Sequence, residues 1–107
     1  MIESLEIHHL RTLDALYTYQ NLSSVAEHLN ISQQAVSLKL KKMRDILSDS
    51  LFVREGHGMV PTPYAKQVQF HIEKVLTDLN AIPLAVADLN VHREQSLYQL
   101  RIMHNKL

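Results

Sequence analysis

At 107 residues, with 46% apolar and 21% charged side chains, the chain has the make-up of one small folded domain rather than a disordered segment. It has no cysteine, which excludes disulfides and thiolate-held zinc and suits a reducing cytoplasm. Its formal net charge is zero but unevenly placed, at −3 over residues 1–31, +3 over residues 32–66 and zero beyond, so a basic surface able to meet phosphates is expected in the middle third.

The first residues, Met1 to Leu10, lack a basic start followed by an apolar run and do not read as a signal peptide. No stretch approaches the roughly 18 apolar residues needed to span a membrane. A chain this small keeps a large surface relative to its core, which makes dimerisation a reasonable expectation.

The first helix is predicted from Glu6 to Tyr19, with Ile7, Leu10, Leu13 and Leu16 or Tyr17 at helical spacing, until Asn21 and Leu22 break the pattern. A short second helix is expected from Ser23 or Ser24 to Leu29. Ser24-Val25-Ala26-Glu27 fits a capping box at its start, and Asn30 fits a left-handed end. Ser32 is a suitable N-cap for a third helix running to about Leu47, where Ser48-Asp49-Ser50 stops it. Val36, Leu40, Met43 and Leu47 form one apolar stripe of this helix. At about 100° per residue, Gln33, Gln34, Ser37, Lys41 and Arg44 form a second stripe of hydrogen-bonding and cationic groups only.

Leu51 to Arg54 and Met59 to Pro61 are short β-compatible segments around Glu55-Gly56-His57-Gly58. Both glycines of the chain fall there, which reads as a hairpin turn. Thr62-Pro63 then opens a long helix, with threonine as N-cap and proline at the first helical position. Val68, Ile72, Val75, Leu79 and Ile82 are spaced 4, 3, 4, 3 along it and form a heptad seam. The seam can serve either packing within the chain or a dimer. A dimer is preferred, because the first three helices already pack on each other. Pro83 is expected to kink or end the helix near Ile82. The tail from Asn90 to Ser96 reads as loop, and Leu97 to Met103 as a partly alternating strand with nothing to pair with. Tyr17, Tyr19, Phe52 and Phe70 are expected in the core or at its rim.

Helix, short helix, turn and longer helix is the layout of a helix-turn-helix, with Ala26 and Ala35 small enough for the helix crossing. The first two helices would hold the third so that its N-terminus enters a major groove. Gln33 and Gln34 can then bond an adenine edge in bidentate fashion, and Ser37 a base or a phosphate. Ser32, Lys41, Lys42 and Arg44 are placed for backbone phosphates, and Arg54 and His57 for an adjacent groove or backbone, as a wing would be.

These residues carry a family resemblance. Asn21-Leu22-Ser23-Ser24-Val25-Ala26-Glu27-His28-Leu29, Ile31-Ser32-Gln33-Gln34-Ala35-Val36-Ser37, Leu51-Phe52-Val53-Arg54 and Pro61-Thr62 together resemble the N-terminal part of LysR-type transcriptional regulators over about residues 6–85. Ile7-His8-His9-Leu10, Leu13-Asp14-Ala15-Leu16 and Gly56-His57-Gly58-Met59 are more similar to the branch with nodulation and LeuO-like regulators. The resemblance implies a mostly α fold: a winged helix-turn-helix over residues 1–61 with a small β-hairpin wing, and a dimerising linker helix over 62–89. Residues 90–107 are then a hinge and the start of an effector-binding domain absent from this chain, whose first strand Tyr98 to Met103 resembles. It also implies a homodimer joined by the linker helices, a tetramer in longer members, and a small-molecule effector bound outside this chain, with no cofactor within it.

Two-fold symmetry then predicts an inverted-repeat site in double-stranded DNA. The chain departs from the family pattern in having Gln34 where proline is frequent, Leu38 where arginine or another polar residue is frequent, and Ala65 in place of a common glycine. Leu38 is therefore an apolar group beside the DNA face, suited to a thymine methyl.

Two other functions fit the same sequence. A helical module that dimerises or binds another regulator would use the same helices. A complete single-domain winged-helix repressor would need residues 84–107 to fold onto the domain. The seven histidines do not suggest a metal site, because His8 and His9 point about 100° apart on a helix and no pair at i, i+4 has a further ligand. No nucleophile–base pair or glycine-rich phosphate loop is legible, so an enzyme is not expected.

Overall fold

A computed structural model describes residues 5–95, with side chains described as far as Pro83. The elements are α1 (Ile7–Tyr19), α2 (Leu22–Leu29), α3 (Gln33–Leu47), β1 (Phe52–Glu55), β2 (Gly58–Pro61) and α4 (Pro63–Gln95). This is a mostly α winged helix-turn-helix with a two-stranded wing. The expected strand over 97–103 lies outside the described residues. The chain divides into two compact units between Lys74 and Val75.

In the first unit, α1, α2 and α3 pack on one another. Leu13 and Leu16 from α1, Val25 and Ala26 from α2, and Val36, Leu40 and Met43 from α3 are buried, joined by Leu51, Phe52 and Met59 around the wing. Full burial of each such leucine contributes about 1.5–3 kcal/mol, and a cavity left by Leu16→Ala costs about 2–5 kcal/mol. The stripe predicted on α3 is thus the buried one, although Leu47 at its end is half-buried.

Each helix boundary has a chemical cause. α1 starts after Glu6, whose amide donates to His9 Nδ1 at 2.9 Å. It ends at Gln20, which takes a left-handed conformation at φ 57°. The expected capping box at Ser24 does not form. Asn21 is the N-cap of α2 instead, its Oδ1 accepting the Ser24 amide at 2.7 Å. Asparagine caps as well as serine does, so the helix gains a turn-initiating residue and begins at Leu22. Asn30 ends α2 at φ 58°, as expected. Ser32 Oγ accepts the Ala35 amide at 3.0 Å and starts α3. Thr62 Oγ1 accepts the Ala65 amide at 3.1 Å and starts α4.

The wing is an antiparallel hairpin in which Phe52 faces Pro61, Val53 faces Val60, Arg54 faces Met59 and Glu55 faces Gly58. Gly56, at φ 66°, takes the first position of its two-residue turn, where a positive φ suits glycine and the twist of the strands. The Thr62 amide donates to the Leu51 carbonyl at 2.9 Å. By antiparallel alternation, Phe52–Pro61 and Arg54–Met59 are then the pairs whose main-chain groups point away from the partner strand. Pro61 is tolerated there because no ladder bond needs its missing N–H.

α4 differs most from expectation. The helix continues through Pro83 to Gln95, past the expected end of the linker helix at residue 89, and the stretch from Asn90 to Gln95, expected as loop, is helical. A proline in a helix interior costs about 3 kcal/mol through one lost bond and a local clash.

Candidate nucleic-acid interface

The outer face of α3 is built by its N-cap and its inner stripe. Ser32 sets where the helix begins, and the burial of Val36, Leu40 and Met43 turns the opposite side outward. Gln33, Gln34, Ser37, Leu38, Lys41 and Lys42 are all exposed on that side. Leu38 is 61% exposed and presents aliphatic surface among these polar groups.

The wing stands beside this face. One cleft of about 280 Å³ is lined by Leu22, Ser37, Leu40, Arg44, Arg54 and Met59. A second, of about 200 Å³, is lined by Asn21, Ser23, Gln33, Arg54 and His57 among others. Arg54 borders both clefts, so the structure brings the wing arginine together with Gln33 and Ser37. His57 at the wing tip joins the second cleft only.

Two cations of α3 are engaged within the chain. Lys39 Nζ donates to His8 Nδ1 at 2.8 Å, and His8 Nε2 lies 3.1 Å from Glu6 Oε1. Arg44, grouped above with the phosphate-binding residues, is half-buried and turned toward the wing, with Nε 2.8 Å from the Ser50 carbonyl and a terminal nitrogen 2.7 Å from the Phe52 carbonyl.

The contacts that hold the wing have no local signal in the sequence. The Met59 amide donates to the Gln20 carbonyl at 2.7 Å. Gly58 allows this approach, since a Cβ there would sit 3.1 Å from the same carbonyl oxygen. The glycine pattern signalled the turn, but nothing in the sequence pointed to the backbone of Gln20.

Residues 7–66 match the family of bacterial regulatory helix-turn-helix proteins, lysR family. The chain belongs to the LysR family. This LysR-family chain is 37% identical over 82 residues to the HTH-type transcriptional regulator SyrM 1 of Sinorhizobium fredii, a match covering 77% of the chain and 24% of that relative. It is 35% identical over 77 residues to Nodulation protein D 2 of a Bradyrhizobium species, covering 72% of the chain and 23% of the relative. The chain therefore spans about a quarter of the length of these curated relatives.

Among solved structures, a probable transcriptional regulator of Pseudomonas aeruginosa is similar at a TM-score of 0.70 and 34% identity, over 74% of this chain and 26% of that one. The DNA-binding domain of BenM, solved with benA site 1 DNA, is similar in fold at a TM-score of 0.75 and 21% identity, over 80% of this chain and 97% of that one. The LysR-family membership and the winged helix-turn-helix fold expected from the sequence are thus established. Among the described residues, no helix is long and apolar enough to cross a membrane.

On α4 of this LysR-family chain, the heptad seam divides. Ile72 is buried at 6% exposure, Val68 and Leu79 are half-buried, and Val75 and Ile82 are 43% and 57% exposed. Phe52 lies in the core as expected, with Tyr17 half-buried against it at a ring separation of 5.1 Å. Phe70, expected in the core or at its rim, is 66% exposed, because its position on the helix is turned well away from Ile72.

Proposed function

We propose that this chain binds double-stranded DNA as a homodimer in the cytoplasm and controls transcription, with the N-terminal half of α3 in the major groove. The observation that carries this reading is the outer face of α3, where Gln33, Gln34, Ser37 and Leu38 are exposed together and Arg54 of the wing stands beside them. Gln33 and Gln34 present donor–acceptor pairs suited to an adenine edge, Ser37 serves a base or a phosphate, and Leu38 meets a thymine methyl. Ser32, Lys41, Lys42, Arg54 and His57 meet backbone phosphates, which supply affinity and register rather than sequence preference.

Two chains joined through α4 place two α3 helices about one helical turn apart on an inverted repeat. Val75 and Ile82, exposed in a single chain, support that pairing. A small-molecule effector and assembly into a tetramer are expected to act through contacts outside residues 1–107.

The test is selection of bound duplexes from random DNA by the 107-residue chain, followed by equilibrium titration at several salt concentrations. Recovery of an inverted repeat, with affinity falling steeply as salt rises, is expected. A stable dimer with no salt-sensitive DNA binding overturns the reading and favours a protein-interaction module.

A further inference from the structure

We infer that Arg44 is a positioning residue for the wing, acting on DNA binding through Arg54 rather than by touching a phosphate itself. The inference rests on the DNA-binding reading above, and one arm of its test is independent of that reading.

The geometry starts with the hairpin's two outer edges. By strand alternation, the Phe52 carbonyl and the Met59 amide point away from the opposite strand. Each is a group that the ladder cannot satisfy, and both Phe52 and Met59 are buried. The Met59 amide is taken by the Gln20 carbonyl at 2.7 Å, so β2 is fastened to the end of α1. The Phe52 carbonyl is taken by the Arg44 guanidinium at 2.7 Å, and the same guanidinium bonds the Ser50 carbonyl at 2.8 Å. β1 is thereby fastened to α3. The first link is main chain to main chain. The second depends on a side chain, and its planar fork spans two carbonyls two residues apart, which an ammonium point charge does not reproduce.

The position of this link matters because Arg44 and Arg54 border the same cleft as Ser37. Arg54 is two residues along β1 from Phe52. Fixing the Phe52 carbonyl to α3 therefore fixes where Arg54 stands relative to Ser37. With its fork so engaged, Arg44 is left half-buried while Lys41 and Lys42 on the same helix are exposed.

The experiment uses the 107-residue chain with Arg44→Lys, Arg44→Gln, Arg54→Ala and the two double variants, titrated on a duplex selected by the unaltered chain. Arg44→Lys keeps the charge and loses the fork. Positioning predicts that Arg44→Lys and Arg44→Gln weaken binding alike, and that neither adds more than about twofold once Arg54 is alanine. A phosphate contact made by Arg44 itself predicts binding close to unaltered for Arg44→Lys. It also predicts multiplied losses in the Arg44→Gln, Arg54→Ala double variant, with the slope of log affinity against log salt reduced by about 0.9 more. Either result overturns the inference.

The second arm needs no DNA. In Arg44→Lys, amide hydrogen exchange at Val53 and Val60 is expected to quicken by about tenfold or more, with Leu13, Leu16 and Val25 unchanged. Arg54→Ala is expected to leave the wing amides as they were. Unchanged exchange at Val53 and Val60 in Arg44→Lys overturns the inference even if the chain binds no DNA. Quickened exchange in a chain that fails to bind DNA upholds the wing link and overturns only its role in recognition.

Discussion

The Asp49 carboxylate accepts the Thr62 hydroxyl at 2.7 Å, and the same oxygen accepts the Leu51 amide at 2.7 Å. This pair closes the wing at its base. Leu51 is fully buried and held at φ 64°, a left-handed conformation that costs a leucine about 1–2 kcal/mol. Asp49 helps offset that strain by satisfying the Leu51 amide, and it orients the Thr62 hydroxyl that caps α4. Asp49→Ala is expected to lower unfolding stability by about 2 kcal/mol, the range for hydrogen bonds to a charged group. Asp49→Asn, which keeps an acceptor oxygen, is expected to lose less. Urea unfolding followed by circular dichroism gives both values, and equal losses would show that the carboxylate's charge is immaterial.

Acid sensitivity is expected from His9. Its ring is 4% exposed and accepts the Glu6 amide through Nδ1, so only the neutral ring fits. Burial pushes its pKa below the ordinary 6.5, His8, Lys39 and Lys42 add to the effect, and Glu6 opposes it. A folded pKa below the unfolded one means that the unfolded chain binds the proton first as pH falls. Stability contributed by neutral His9 is therefore complete above about 6.5 and declines as pH drops from there through the lowered folded value. Thermal midpoints measured between about pH 7.5 and pH 5.5 should fall in the unaltered chain. They should fall less in His9→Gln, whose amide oxygen can accept the same N–H without titrating. Parallel curves would remove His9 as the source.

Tyr17 ties the first turn of α4 to the three-helix core. Its hydroxyl donates to the Ala65 carbonyl, its ring meets Phe52 edge-on, and Ala65 itself is fully buried. Burial, followed by Glu73, raises the phenol pKa to about 12. The unfolded phenol ionises first as pH rises past about 10, so stability from this group is lost above that value. Tyr17→Phe keeps the ring contact, is expected to cost about 1 kcal/mol near neutral pH, and should flatten the alkaline loss. Denaturant midpoints at neutral and alkaline pH test both parts.

The helices and the wing were legible because their signals are local. Ser32, Thr62 and Asn30 cap where expected, and Val36, Leu40 and Met43 form the buried stripe. The exposed residues of α3 followed directly, since the outer face is the complement of the buried one. What was not legible depends on separation in the chain. Asp49 and Thr62 are 13 residues apart, and Lys39 and His8 are 31 apart. Arg44 illustrates the limit: helical projection put it beside Ser37 and Lys41, but only the fold places two carbonyls within its reach. Pro83 shows a further limit: the residue alone left open whether the helix would bend or stop, and α4 runs on past it to Gln95.

Leu38 supplies a prediction that separates base reading from backbone binding. It is 61% exposed between polar neighbours, and exposure of that much aliphatic surface gains from burial against a thymine methyl. Replacing single thymines by uracil in the selected duplex should reveal one position per half-site where loss of the methyl weakens binding. One buried methyl corresponds to about 0.8 kcal/mol, or roughly fourfold. That sensitivity should vanish in Leu38→Ala. Gln33→Ala should instead narrow the gap between selected and random duplexes, while Lys41→Ala weakens both about equally. Equal weakening of both duplexes by Gln33→Ala would remove it from base reading.

The seam on α4 separates into residues that serve the chain and residues offered outward. Ile72 is buried in a single chain, so Ile72→Ala is expected to lower stability by about 2–5 kcal/mol whatever the oligomeric state. Val75 and Ile82, at 43% and 57% exposure, have apolar surface that a second chain can cover. Val75→Glu and Ile82→Glu should shift the proposed dimer toward monomer in sedimentation equilibrium while leaving the folded circular dichroism spectrum intact, because a carboxylate is readily solvated in the monomer and costly to bury in the pair. Phe70 provides the control: at 66% exposure it lies on a part of α4 turned away from the seam. Phe70→Glu should leave the dimer in place. If Phe70→Glu dissociates the chains and Ile82→Glu does not, the helices pair through the opposite face, and the spacing of the two α3 helices on DNA must change with it.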